Sequence, residues 1–391
     1  MIIIIPLTIL SVSFVVLSLY TFFNILYRNG GPLNQEEPHA KHFPKVSILK
    51  PMRKIDDQLE KNLESYFLLD YPRYEILFGV DSENDPIVDI ITVLQTRYPK
   101  VTTNILVTGH TNKGNPKIHK LAQMAEEATG TLYWVSDSNI RAEKDTLKKL
   151  VNEYLQKNSK IIFSPIRAAG SWSVGSIIEN AYITHFVSGN MISAWKLFKQ
   201  QIVVGKSILI ERETLNYFGG FSYFKDYLAE DFMMGQTYTR SKIPISSNFT
   251  WVTNFNQTTT IKEFFWRIER WAKLRFHLKT HLYILEIFLN PIMLALIFSL
   301  FLGKNLALVV FSGTLLLKIF LEIISFLVIN KEDRRKFRVI AMLPYCILLK
   351  DILLFIIYFR PFFSRTVNWR GGKIKIGRKT LIHPQPGENL I

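Results

Sequence analysis

The chain has 391 residues, a formal net charge of +16 and 48% hydrophobic residues, enough for one good-sized soluble domain plus segments that do not live in water. The basic excess does not point to nucleic acid, because it gathers beside apolar segments, in "NKEDRRKFR" (330–338) and "WRGGKIKIGRK" (369–379). Cys346 is the one cysteine, which excludes an intrachain disulfide and suits a reducing, cytosol-facing domain.

In chain order, residues 2–27 carry no charge and exceed the roughly 20 residues that cross a bilayer. No basic region precedes this run and no small-x-small site follows it, so it reads as a transmembrane anchor over 1–28, not a cleaved signal.

Residues 29–260 alternate strand-like and helix-like patterns: "KVSILKP" (45–51), a helix through "QLEKNLESYFL", "YEILFGV" (74–80), "TNILVT" (103–108), a helix from Pro116 to Ala128, and "TLYWVSD" (131–137). Serial βα units predict a mainly parallel sheet with helices on both faces and ligands at the strands' carboxyl ends. Those ends carry Pro51, then Asp81 and Asp85, then Asp137 and Asn139. One such aspartate is ordinarily a turn former or helix cap; several at one edge suggest a site. With no glycine-rich phosphate cradle, a hard cation, Mg²⁺ or Mn²⁺, would bridge protein and diphosphate, with Asp137 as its carboxylate and Asn139 as a neutral oxygen donor. "GKS" (205–207) lacks the rest of a P-loop, and its lysine reads as support for the acceptor side or the fold. His185 reads as a packed core or interface group, and the sequons at Asn248 and Asn256 carry little weight.

"DYLAEDFMMG" (226–235) sets Glu230 and Asp231 at the start of a helix-like run. Alone they would read as first-turn acids favoured by the helix dipole. Residues 261–281 form an amphipathic interfacial helix, with Ile261, Phe264, Phe265, Ile268 and Ala272 at helical spacing and a basic opposite face. Arg270 and Trp271 on it suit a diphosphate clamp and a stacking surface.

The C-terminal membrane region, 282–359, holds apolar runs at 282–302 and 305–329 that read as a helical hairpin. Residues 339–358 are long enough to span, but Lys350 and Asp351 would each cost about 2.5–3.5 kcal/mol at the bilayer centre. A segment broken near Pro344 or Lys350, re-entrant or lying on the surface, avoids that cost. It also leaves the basic tail, 360–391, on the cytoplasmic side with the loop 330–338.

The series "LKP", "DYPRYEILFGV", "NDP", "GNPKIHKL", "SDSNIR", "YLAEDFMMG" and "RIERWAKLR", from Val46 to Arg275, resembles the ceramide glucosyltransferase family, membrane-bound inverting glycosyltransferases with a GT-A fold. The resemblance implies an integral membrane protein with a cytosolic catalytic domain, UDP-glucose as donor, and the primary hydroxyl of ceramide or a related membrane lipid as acceptor. It implies Asp231 as catalytic base with Glu230 orienting it, Asp81 and Asp85 on the nucleotide side, and Lys117 as the lysine of the "NPK" motif. Asp137 becomes the metal and diphosphate ligand, and Arg267, Arg270 and Trp271 the R-x-x-R-W signature. The departure is Asn139, where many relatives of the wider fold carry a second aspartate. Three rivals stand beside this reading: a hopanoid, polyprenyl or glycerolipid acceptor, a processive polysaccharide synthase, and a non-catalytic sugar-nucleotide or lipid sensor.

Overall fold

The computed structural model describes residues 4–30, 43–111, 113–200, 202–247, 249–369 and 372–383. Asn248 of the first sequon and residues 384–391 of the tail lie outside them. The chain forms two compact units: Asn29–Ile166 with Ala194–Phe255, and Met1–Arg28 with Arg167–Ser193 and Asn256–His383.

In the former unit the described residues build a seven-stranded sheet in the spatial order Thr102–Val107, Tyr74–Val80, Val46–Pro51, Leu132–Ser136, Ser207–Glu211, Ile161–Phe163, Ile245–Ser247. The first four strands are parallel, and Ser207–Glu211 runs antiparallel to both neighbours. This is the α/β class with a mainly parallel sheet that the alternating pattern predicts. The central strands are buried on both faces, Ile48, Phe78 and Trp134 on one and Leu49, Leu77 and Val135 on the other, and this explains why they read as continuous apolar runs. Two helices at the sheet's edge start on side-chain caps followed by proline: Asp85 before Pro86–Arg97, and Asn115 before Pro116–Glu127.

The other unit contains, among the described residues, three helices long and apolar enough to cross a membrane: Ile4–Leu26, Lys304–Ile329 and Phe337–Phe363. Of the polar domain expected over 29–260, residues 167–193 and 256–260 cluster with this unit. The first of these segments includes the helix Val174–Tyr182, buried from Gly175 onward, which packs on the amphipathic helix Ile261–Leu278 and on Phe337–Phe363. Its polar stripe, Ser176, Glu179 and Asn180, is buried as well, Glu179 pairing with Arg267 and Asn180 donating to Ser171 Oγ at 3.0 Å, so the stripe does not mark a solvent face.

Two sequence expectations change here. The apolar run 282–302, read as one arm of a helical hairpin, is a pair of helices, Thr280–Leu289 and Pro291–Ser299, bent by 68°. Pro291 cannot donate back into the preceding turn; the Asn290 side chain accepts from Met293 N (3.3 Å) and donates to Asp351 O (2.7 Å). Conversely, Phe337–Phe363 runs unbroken through Pro344 and Lys350. The charges thought to break it are buried and neutralised: Lys350 pairs with Glu322, Lys318 lies 2.5 Å from Glu322, and Asp351 lies 3.3 Å from Lys350.

The amphipathic helix begins with a capping box, Thr260 and Glu263, and buries Phe264, Ile268 and Ala272, whereas Ile261 is exposed. Its buried face also carries Glu269, which pairs with Lys273 (2.8 Å) and Arg360 (3.0 Å). The expected basic tail is partly folded: Thr366–Trp369, Gly372–Ile376 and Ile382–His383 form an antiparallel sheet, and Lys273 donates to Thr366 O (2.6 Å). His185 is buried with Nδ1 3.0 Å from Ser325 Oγ, and Asn256 is buried against Asn180.

Candidate active site

The strand Leu132–Ser136 delivers Asp137 to the carboxyl edge of the sheet, beside Pro51, which ends the neighbouring parallel strand. Asp137 lies between two ammonium groups, Lys117 Nζ at 2.9 Å from Oδ1 and Lys206 Nζ at 3.0 Å from Oδ2. Lys206 also donates to Asn139 Oδ1 at 3.0 Å. Under this layer the fully buried Lys50 donates to the Asp137 carbonyl (2.7 Å) and sits 3.8 Å from the centre of the Tyr66 ring.

Lys117 carries the network on to the acidic pair. Its ammonium is 3.4 Å from Glu230 Oε1 and donates to Gly205 O at 3.0 Å. Glu230 opens the helix Glu230–Arg240 and accepts from Asn115 Nδ2 at 2.9 Å. Asp231 is fixed by two backbone amides, Gly205 N to Oδ2 (2.6 Å) and Phe232 N to Oδ1 (2.7 Å).

The electrostatics separate the three acids. Burial would raise Asp137, but Lys117 and Lys206 outweigh it and hold the carboxyl well below the usual range. For Lys117 burial works the other way and is outweighed by Asp137 and Glu230, so its ammonium form is favoured. Burial dominates at Glu230 and Asp231 and pushes both carboxyls up against the pull of Lys117. Burial likewise drives Lys50 well below the ordinary lysine range. Asp137, lowered by its two ammoniums, thus stands beside two carboxyls that burial raises above their ordinary values, an arrangement that suits charge holding at the first and proton transfer at the others.

The structure therefore brings together Lys117, Asp137, Asn139, Glu230 and Asp231. Asp81 takes another partner, Lys120, at 2.5 Å, and Asp85 accepts from Ile87 N at 3.1 Å as a helix cap. Arg267, Arg270 and Trp271 belong to the other unit, where Arg267 pairs with Glu179 and Trp271 lies 6.5 Å, ring to ring, from Tyr182. Sequence reading missed four contributors: Lys50, Asn115, Gly205 and Lys206. Asn115 was findable, since Asn-Pro opening an amphipathic run marks an N-cap. Lys206 was visible in "GKS" but assigned to the acceptor side or the fold, because pairing with Asp137 and Asn139 depends on strand register.

Gly205 shows how tight the site is. A Cβ there would lie 3.0 Å from Lys117 Nζ and 3.1 Å from Asp231 Oδ2. Gly205→Ala is expected to lower kcat about 10-fold or more by displacing both groups, with little change in melting temperature; steady-state kinetics beside a thermal melt check this.

Among the described residues no three His, Cys, Asp or Glu side chains form a metal-binding group. Two oxygens nevertheless converge on one point, Asp137 Oδ2 and Asn139 Oδ1, and Lys206 Nζ occupies it. An anionic and a neutral oxygen suit a hard cation that takes its remaining ligands from water and a diphosphate.

The chain is 29% identical over 260 residues to ceramide glucosyltransferase 3 of Caenorhabditis elegans, covering 65% of this chain and 55% of that protein. It is 24% identical over 362 residues to ceramide glucosyltransferase 1 of the same organism, covering 91% and 76%. The chain thus spans little more than half of the one relative and about three quarters of the other. Among solved structures it is similar to the mannosyltransferase PcManGT from Pyrobaculum calidifontis in complex with GDP-Man and Mn²⁺, at 15% identity and a TM-score of 0.49, over 90% of this chain and 99% of that one. The family model of glycosyl transferase family 21 matches residues 6–382, nearly the whole length, and the chain belongs to that family.

Proposed function

We propose that the protein transfers glucose from UDP-glucose to the primary hydroxyl of ceramide or a related membrane lipid, with inversion at the sugar carbon. The observation that carries this reading is the Asp231 carboxylate, aimed by two backbone amides and joined through Lys117 to the Asp137 cluster. The acceptor oxygen attacks the anomeric carbon, the bond from that carbon to the diphosphate oxygen breaks, the hydroxyl proton passes to Asp231, and UDP leaves. Lys117 and Lys206 lie where charge on the leaving diphosphate develops. A divalent ion, when bound, adds charge neutralisation there, and Asp137 and Asn139 would hold it. Asn139→Asp, which supplies a second carboxylate, is expected to tighten Mn²⁺ binding. Asp81, Asp85 and Pro51 keep their proposed place on the nucleotide side, and Arg270 and Trp271 their proposed contact with diphosphate and sugar. Relatives that bear the ceramide glucosyltransferase name and the apolar helices support the lipid acceptor.

The test is turnover of purified protein with UDP-glucose against ceramide, diacylglycerol and hopanoid acceptors, with the product's anomeric configuration read by NMR. A β-glucosylated ceramide is the expected product. Transfer to another acceptor would reassign the substrate, α-linked product would remove the inverting step, and UDP-glucose binding without UDP release would indicate a sensor.

We also propose that the catalytic region faces the cytosol and that Phe337–Phe363 lies along the membrane surface. Its two ends meet different elements of its own unit: Arg338 lies 5.2 Å from the ring of Trp172, just before Val174–Tyr182, and Arg360 pairs with Glu269 of the amphipathic helix at 3.0 Å. This placement leaves both basic segments on one side. With Cys346 replaced by alanine, cysteines at positions 335 and 375 are expected to react alike with a membrane-impermeant reagent on sealed vesicles. Opposite accessibility would establish a full span.

A further inference from the structure

The geometry points to Lys206 as a tethered cation that holds the divalent-ion position between Asp137 and Asn139. A metal ion enters only as the ammonium leaves, and without metal Lys206 holds the donor's diphosphate, with Lys117, already facing Asp137, Gly205 O and Glu230, contributing charge alone. The diphosphate half rests on the sugar-nucleotide reading above; the exchange of ammonium for metal does not.

Register builds Lys206 into this place. Ser207 is paired with Ser136 in the antiparallel ladder, the Trp134 indole donates to Ser207 Oγ (2.9 Å), and Ser136 Oγ donates to the Lys206 carbonyl (3.2 Å). Lys206 N is held in turn by Val204 O at 2.8 Å. The backbone that carries the ammonium is therefore anchored to the strand that carries Asp137. An ammonium has three N–H donors. Two are matched by Asp137 Oδ2 and Asn139 Oδ1, each at 3.0 Å, which leaves the third for a phosphoryl oxygen.

Charge agrees with this arrangement. Both Asp137 oxygens already face an ammonium, and position 139 supplies an amide where a second carboxylate would add charge. A divalent ion placed at Asp137 would meet two ammoniums, of which Lys117 is also faced by Glu230 at 3.4 Å whereas Lys206 meets Asp137 and a neutral amide, so the repulsion from Lys206 is the less compensated and grows as water is excluded. Displacing Lys206 removes it. An amide oxygen satisfies an ammonium fully, whereas for a divalent ion it is a neutral ligand.

The experiment uses the full chain in detergent micelles. In one arm MnCl₂ alone is titrated and free Mn²⁺ is read by electron paramagnetic resonance. Lys206→Met and Lys206→Gln are expected to bind Mn²⁺ about 10-fold more tightly than wild type, the equivalent of removing roughly 1.4 kcal/mol of competition. In the other arm UDP binding is measured calorimetrically in excess chelator. Wild type is expected to retain binding, both variants to lose it about 10-fold or more, and added Mn²⁺ to restore it in the variants. Lys206→Arg, which keeps the charge, is expected to preserve most of the metal-free UDP affinity. Equal Mn²⁺ affinity in wild type and both variants would overturn the proposal, as would chelator-resistant UDP binding that survives loss of Lys206. If no form binds UDP with or without Mn²⁺, the sugar-nucleotide reading and the diphosphate half fall together, while the Mn²⁺ arm still decides who occupies the site.

Discussion

Asp231→Asn is expected to lower kcat by about 10²–10⁴ while UDP affinity stays nearly unchanged, because a displacement that needs proton removal loses its base and not its donor site. Asparagine can keep the contact with Gly205 N through its amide oxygen, so a fall in rate with an intact thermal melt isolates chemistry from folding. Glu230→Gln is expected to cost less, since Glu230 meets Lys117 and Asn115 and so acts through its neighbours. If the ranking reverses, the two acids exchange roles.

The same pair sets the acid limb of the pH profile. Burial raises the carboxyl of Asp231, and that of Glu230 beside it, above ordinary values, and catalysis needs the deprotonated base. Activity is therefore present above the raised pKa and lost as pH falls through it, so kcat/KM is expected to decline at a pH above the usual carboxylate value of about 4. The midpoint belongs to the coupled pair, and Glu230→Gln is expected to move it downward by removing a like charge. A limb at or below pH ~4 would show that the two amides and Lys117 outweigh burial.

The largest expected stability change lies far along the sequence, at Glu322. This residue answers two ammoniums, Lys318 on its own helix and Lys350 on Phe337–Phe363, and all three are almost wholly buried. Removing it leaves two buried cations with Asp351 alone to oppose them. Glu322→Ala is expected to destabilise the protein by about 3–5 kcal/mol, the range for breaking one partner of a buried ion pair. Melting in detergent, followed by tryptophan fluorescence, reads it. Glu322→Gln, which keeps hydrogen-bond capacity and loses charge, is expected to fall between. A change below about 1 kcal/mol would mean that water reaches the cluster and screens it.

The contrast between these two regions shows what can be read along a chain. Period and length by themselves determined the parallel strands, the amphipathic helix and the apolar segments, because each is a local pattern: a short apolar run, a repeat every three or four residues, or a run sustained for twenty. Strand ends named Asp137 and Asn139 for the same reason: in serial βα units one edge of the sheet collects the loops. Tertiary structure decided the rest. Lys350 and Asp351 look prohibitive in a linear apolar run and become tolerable only because Lys318 and Glu322, some thirty residues away, arrive beside them. Asn290–Pro291, not Pro344, became the bend. Lys206 seemed a stray lysine beside a failed phosphate motif until an antiparallel strand placed it between Asp137 and Asn139. Charges are satisfied through space, by partners whose sequence separation carries no periodic signal, so strand ends and motifs could single out Asp81, Asp85, Asp137, Glu230 and Asp231 alike. Only the fold separated Asp81, paired with Lys120, and Asp85, a helix cap, from the three gathered around Lys117.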